Sequence, residues 1–414
     1  MIEEYDFVEV LNCRSCGVAA LEEILNLGDH PLANSLLTQK SISDEKRFPL
    51  VLMRCNHCTT LQLSINVNPK ILFSSYFWVT GTSRTTLDYC QDLAKNVLDR
   101  IQVKKPKILE IGSNDGTLLL EFEKLGAGDT FGIDPAENVI PELSHSKITY
   151  IPEFFTEDFA KRFVQRYGQV DLVIARNVLS HVPDLNDVMR GINLVLSPEG
   201  MCVTEFHDAN KIISEIQYDS IYHEHTYYHS LRSMTFALAN ASLKPFDGYV
   251  GPISGGCIVL FSSRQDKKIS DGLLSLLEAE NALGVYSIKS WKEFASQVLS
   301  NIASIKSELK MISNSNIYAF GSSARSSTLL NAIGGESKTI AGIADNNPRK
   351  WGMLSPGLHL PIANPSTLIN DTVKTIFICA FNFEMEIVNQ LKNELNWSGE
   401  VIVPLPNVLR KYRI

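Results

Sequence analysis

Four cysteines stand in two tight pairs, Cys13-x-x-Cys16 and Cys55-x-x-Cys58. Four thiolates at that spacing close a tetrahedron around zinc and leave no position open, so the ion they imply is structural. His57 lies inside the second pair, but a complete set of four sulfurs needs no imidazole. The remaining cysteines, Cys90, Cys202, Cys257 and Cys379, are solitary, which in a reducing compartment points to packing rather than metal. Unliganded or disulfide-bonded pairs are the competing reading; against them, the segment between the pairs holds too little apolar material to fold unaided.

A second constellation runs Ile108-Leu-Glu110-Ile-Gly112-Ser-Asn114-Asp115-Gly116-Thr. Here a strand is expected to open into a glycine loop and then a helix. The backbone can then approach a ligand closely, and the helix N-terminus offers unpaired N–H groups. Asp134, followed by Pro135 at the tip of the next expected strand, stands where a carboxylate can bind both hydroxyls of a ribose. A dinucleotide site has the same layout. This loop, however, is G-x-x-x-G with acidic Glu110 and Asp115, and carboxylates would repel a pyrophosphate while suiting the cationic S-adenosylmethionine. Glu110, Gly112, Asn114, Asp115, Gly116, Asp134 and Pro135 are therefore the expected cofactor-binding residues. A nicotinamide cofactor and purely structural glycines remain the alternatives.

The third cluster is Tyr222-His223-Glu224-His225, with Tyr227 and Tyr228 after it, beyond an apolar run that ends at Glu205-Phe-His207. Ligands of open parallel sheets bind outside the carboxyl ends of the strands, which makes these residues candidates for catalysis. His181, in Leu179-Ser-His-Val-Pro, follows another apolar run and falls at the edge of the same expected cleft. An H-x-H pair alone is weak evidence, because a satisfied structural histidine is the commoner case. A fourth feature, Phe320-Gly321-Ser-Ser323-Ala-Arg325, repeats the strand-to-loop pattern, with Asp345 ending the following strand. Backbone N–H groups and a guanidinium there suit a diphosphate, although the pattern equally fits a bare Rossmann-like turn.

These groups need elements to hold them. Short apolar runs at Ile108–Ile111, Thr130–Ile133, 170–175 and 201–205 alternate with helical patterns over 117–125 and 184–196, which implies a parallel sheet with helical crossovers. A further helix is expected from 85 to 101. A long amphipathic stretch with Trp291, Phe294, Val298, Ile302, Ile305 and Leu309 on one face leads into a second alternation at 317–320, 339–344 and 375–380. With 414 residues, 44% of them hydrophobic, the chain has ample material for two or three domains. Its net charge of −8 gives no footprint for nucleic acid or anionic lipid, so an anionic substrate must be held by local groups. No run approaches the length of a membrane span and the start is acidic, so a cytoplasmic location is expected.

Taken together, the four cysteines, Tyr76 with Gly81-Thr-Ser, the loop from Leu109 to Thr117, Tyr222-His-Glu-His, Gly255-Gly256, Asp345-Asn-Asn-Pro and Pro356-Gly-Leu-His-Leu-Pro resemble the sugar C-methyltransferases that act at C-3 of nucleotide-linked 4-keto-deoxysugars. The resemblance covers nearly the whole chain, departing at Cys257-Ile-Val259 and at Arg325, where lysine is common. It implies an α/β architecture of three parts: a small N-terminal zinc-binding module (1–80), a central Rossmann-like S-adenosylmethionine methyltransferase domain (81–270) and a C-terminal Rossmann-like domain that holds the nucleotide sugar (271–414). It also implies His225 as the base, with Tyr222, Glu224, His181 and Tyr76 around the reacting sugar. Substrate contacts are expected from Tyr76, His223, Ser323, Arg325 and Asp345. Joined domains of this kind suit a monomer.

Overall fold

The computed structural model describes residues 5–73, 80–82, 84–136, 138, 147–253, 255–312, 316–370 and 372–414. Its centre is a seven-stranded sheet in the order Lys244–Gly251, Cys257–Ser263, Leu196–His207, Val170–Arg176, Ile108–Ile111, Thr130–Ile133, Thr149–Ile151. The last five run parallel, and Cys257–Ser263 lies antiparallel to both of its neighbours. The apolar runs are explained by burial on both faces. Leu109, Ile111, Val173, Ala175, Cys202 and Phe206 enter the core on one side, while Ile108, Leu172, Ile174, Met201 and Val203 enter that on the other.

The helical stretches form where the periodicity places them, at Arg84–Leu98, Thr117–Lys124 and Leu185–Val195. Asp184 caps the last by accepting from the Asp187 N–H, and Gly116, in the left-handed region at φ 73°, starts the second. The helix Asp271–Leu283 packs against the strand Lys244–Gly251 and gives Leu273 to the core of the same sheet.

A second, six-stranded sheet follows in the order Ile362–Ala363, Ile340–Ala344, Asn316–Phe320, Val373–Ile378, Glu400–Val403, Arg410–Arg413. All but the last strand are parallel. Before it runs the helix Ile288–Met311, whose buried Trp291, Phe294, Val298, Ile302, Ile305 and Leu309 are the stripe read from the sequence.

The N-terminal module is itself a sheet. Leu21–Pro31, Arg47–Cys55 and Leu61–Leu63 pair antiparallel, and the fourth strand is Tyr227–Tyr228, supplied by the central part of the chain. The module's scarcity of apolar residues is met by sharing a core: Ile24, Leu25, Leu50, Leu52, Leu61 and Leu63 join one cluster with Trp291, Phe294 and the C-terminal sheet. Among the described residues no helix is long and apolar enough to cross a membrane.

Because Phe294 is buried at that junction, Phe294→Ala should cost about 3–5 kcal/mol. Calorimetry should show the unfolding midpoint falling by several degrees, whereas an unchanged midpoint would mean that the shared core contributes little.

Candidate active site

The four cysteine sulfurs lie within 4.8 Å of one another. Cys13 Sγ is 3.4 Å from Cys58 Sγ, and Cys16 Sγ is 3.7 Å from Cys55 Sγ. Zinc–sulfur bonds of about 2.3 Å put the edges of a tetrahedron at about 3.8 Å, so the sulfurs fit the ion, and at these separations they are not disulfides. Each knuckle is closed by a backbone hydrogen bond, Gly17 N–H to Cys13 O at 2.8 Å and Thr59 N–H to Cys55 O at 3.0 Å. His57 takes part through its backbone N–H, which points at Cys55 Sγ.

In the central sheet, the loop after Ile108–Ile111 turns through Gly112, Asn114 and Gly116, all with positive φ. A Cβ on Gly116 would fall 1.6 Å from the Tyr150 hydroxyl, so only glycine fits. Asp134 receives the N–H groups of Asn114 and Ala136, both at 2.9 Å, and so ties the loop to the end of the neighbouring strand. Asn114 Oδ1 accepts from Thr80 N–H at 2.9 Å, and Asp115 from Gly81 N–H at 2.7 Å and from Thr117. These two side chains, expected to meet the cofactor, therefore also anchor residues 80–81 against the loop.

Below the loop, Glu110 is fully buried, with Oε1 3.1 Å from Arg176 and Oε2 without a partner among the described residues. A second buried carboxyl, Glu205, accepts from Tyr89 and Asn177. Two carboxyls thus face a single guanidinium, and burial raises Glu110 to about 7 despite Arg176. This acidic floor fits the cationic S-adenosylmethionine and opposes a pyrophosphate. Nothing local in the sequence links Glu205, Arg176 and Tyr89: the first two meet because neighbouring strands end side by side, and Tyr89 reaches them from the helix Arg84–Leu98.

The segment after the strand Leu196–His207 carries the remaining groups. His225 Nδ1 lies 3.1 Å from Ser220 O. A carbonyl only accepts, so Nδ1 holds the proton and Nε2 keeps its lone pair. The Tyr222 hydroxyl donates to that Nε2 at 2.8 Å. Burial, reinforced by His181 and His207, holds His225 well below the usual imidazole range, so the ring is neutral near pH 7. His181 stands edge-on to it, the ring centres 4.8 Å apart, and burial lowers His181 to about 4. Val178, three residues before His181, packs over Gly112 of the cofactor loop.

His223 packs against the N-terminal module, which also holds Glu224. Glu224 accepts from Asn34 of the N-terminal module, and His223 packs edge-on to Phe48 with Nε2 3.3 Å from Pro49 O. His223, expected to contact substrate, is thus separated from His225 by the turn and belongs to the module interface. Tyr76 lies outside the described residues.

The second glycine loop is occupied by its own chain. Ser323 caps the helix Ala324–Ile333, and Asp345 receives the N–H groups of Ser322 and Asn347 and the ammonium of Lys350 at 3.2 Å. Arg325 forms a two-pronged ion pair with buried Asp219, at 2.7 and 2.9 Å, over the ring of Phe381. The guanidinium expected to hold a diphosphate here fastens the helix Ala324–Ile333 to the turn before Tyr222. Nothing in the spacing of Asp219 announced this partnership.

Three family models match in succession: a zinc binding domain over residues 13–73, a methyltransferase domain over 84–245 and a C-methyltransferase C-terminal domain over 252–406. The C-methyltransferase NovU of Streptomyces niveus is 27% identical over 400 residues, covering 95% of each chain. The ubiquinone biosynthesis O-methyltransferase of Azorhizobium caulinodans is 28% identical over 102 residues, 24% of this chain and 40% of that protein. Magnesium protoporphyrin IX methyltransferase from Synechocystis PCC 6803, solved with bound SAH, aligns at a TM-score of 0.34 and 13% identity, over 43% of this chain and 83% of its own.

Since Tyr227–Tyr228 completes the module's sheet, removing its metal should disturb the segment that carries Tyr222 and His225. Cys13→Ser should lower bound zinc well below one ion per chain and expose the amides of Leu61–Leu63 and Tyr227–Tyr228 to hydrogen exchange together. Zinc loss with those amides still protected would show that the ion does not support the segment.

Proposed function

We propose that the chain is a C-methyltransferase that carries a zinc-binding domain ahead of the methyltransferase domain, and that it methylates C-3 of a nucleotide-linked 4-keto-6-deoxysugar with His225 as the base. The observation that supports this most is the tautomer of His225: a neutral, buried imidazole with its Nε2 lone pair turned toward the Tyr222 hydroxyl. A base of that kind works near pH 7 without first losing a proton to solvent.

When bound, S-adenosylmethionine supplies an electrophilic methyl group. His225 Nε2 takes the hydrogen of the carbon beside the ketone; the C–H electron pair becomes the enolate and then the new C–C bond, the methyl–sulfur bond of the donor would break with its electron pair left on a neutral thioether, and the imidazolium later returns its proton to water. Tyr222 starts as the donor to Nε2 and is placed to turn its hydroxyl to the developing oxyanion. Tyr76 and His181 are the further candidates for that role, and Glu224 either fixes ring orientation or binds a sugar hydroxyl. In the C-terminal unit Ser323, Arg325 and Asp345 bound the place where the nucleotide docks, although each already has protein partners.

An O- or N-methyltransferase would need no adjacent ketone, and the O-methyltransferase likeness spans only 24% of this chain. A nicotinamide enzyme built on the second loop is disfavoured because Lys350 already neutralises Asp345.

With S-adenosylmethionine and a panel of dTDP-, GDP- and CDP-linked 4-keto-6-deoxysugars, one member should gain a single carbon-bound methyl group by mass spectrometry and NMR. His225→Asn should lower kcat by about 10²–10⁴-fold while calorimetry finds S-adenosylmethionine binding nearly unchanged. Methyl transfer to oxygen, or full turnover by His225→Asn, would refute the proposal.

A further inference from the structure

Glu224 is 3% exposed, and both of its oxygens accept from one amide: Asn34 Nδ2 lies 2.8 Å from Oε1 and 2.7 Å from Oε2. The donor sits 190 residues earlier in the chain, in the loop that follows the strand Leu21–Pro31 of the zinc module. Since a carboxylate offers only acceptors, the NH₂ end of the amide must face it.

The loop carrying Asn34 is fixed on both sides. Leu37 exchanges two backbone hydrogen bonds with Leu354 of the C-terminal unit, at 2.9 and 2.8 Å. Farther along the module, Glu45 accepts from Gly357 N–H at 2.6 Å and meets His359 Nε2 at 3.0 Å. On the other side the module's sheet continues into Tyr227–Tyr228, three residues beyond Glu224. The amide therefore reaches Glu224 from a frame anchored to all three parts of the chain.

We infer that Asn34 is a positioning residue of the methyl-transfer site: its amide fixes the Glu224 carboxylate, so the zinc module supplies a functional group as well as a fold. This rests on the proposed place of Glu224 in the site. Burial raises Glu224 to about 7, and the side-chain and backbone amides of Asn34 pull it down. Its chain neighbours His223 and His225 add no positive charge near pH 7, because burial lowers both. Removing the Asn34 amide leaves burial less opposed, so the carboxyl should ionise at higher pH.

The test uses Asn34→Leu and, should that variant fold poorly, the near-isosteric Asn34→Asp, each with intact zinc content. Infrared titration follows the protonated-carboxyl band that Glu224→Gln removes, on enzyme without sugar substrate. Both variants should move its midpoint upward by about one pH unit or more. The acid limb of kcat/KM should shift with it, and kcat should fall more than the KM values change. A folded variant whose Glu224 band titrates as in the parent would overturn the positioning role. Because the infrared midpoint needs no substrate, it stands even if the sugar assignment fails, and that failure would appear separately as an absent methylated product.

Discussion

The stretch from Ser220 to Tyr228, with Asp219 before it, is the constraint on which the site depends, because together they are bonded to three different parts of the chain at once. Ser220 O fixes the tautomer of His225, and Thr226 N–H donates to Ser180 O at 2.7 Å. Thr226 O accepts from Arg14, between the first two cysteines, while Tyr227 and Tyr228 pair with the module's sheet. Asp219, immediately before the segment, is clamped by Arg325 from the C-terminal unit. A short turn buried in this way has little freedom, which is what a catalytic base held near a cofactor cleft requires.

The same burial sets the electrostatics. Burial shifts the groups around the site: His225 and His181 lose affinity for protons, and Glu110 and Glu224 gain it. The carboxyls under the cofactor loop outnumber the guanidinium available to them, which leaves that pocket suited to a cation. Beside it stands the neutral imidazole of His225.

Local chemistry was legible in the sequence, and long-range partnership was not. The zinc ligands could be read because a tetrathiolate site demands both residue type and spacing. The parallel strands could be read because burial on two faces writes uninterrupted apolar runs. The module's own sheet could not: Leu21–Pro31 mixes exposed and buried positions, bends at Gly28 with φ 80°, and shifts register twice against its partner. Its fourth strand is only two residues long and comes from a distant stretch. Asn34 and Asp219 carry no local signal either, since their meaning lies in Glu224 and Arg325. Arg325 shows the same limit: its small-residue loop is legible in the sequence, while its carboxylate partner Asp219 is not.

The central claim, that His225 draws a hydrogen from carbon, is tested most directly by solvent exchange. The enzyme is held in D₂O with the nucleotide-linked 4-keto-sugar and without a methyl donor, and the hydrogen beside the ketone is followed by NMR. The account predicts deuterium at that one carbon with the parent enzyme and none above the uncatalysed rate with His225→Asn. Exchange at the parent rate in the variant, or methylation of a sugar whose carbon hydrogen is never released, would contradict it.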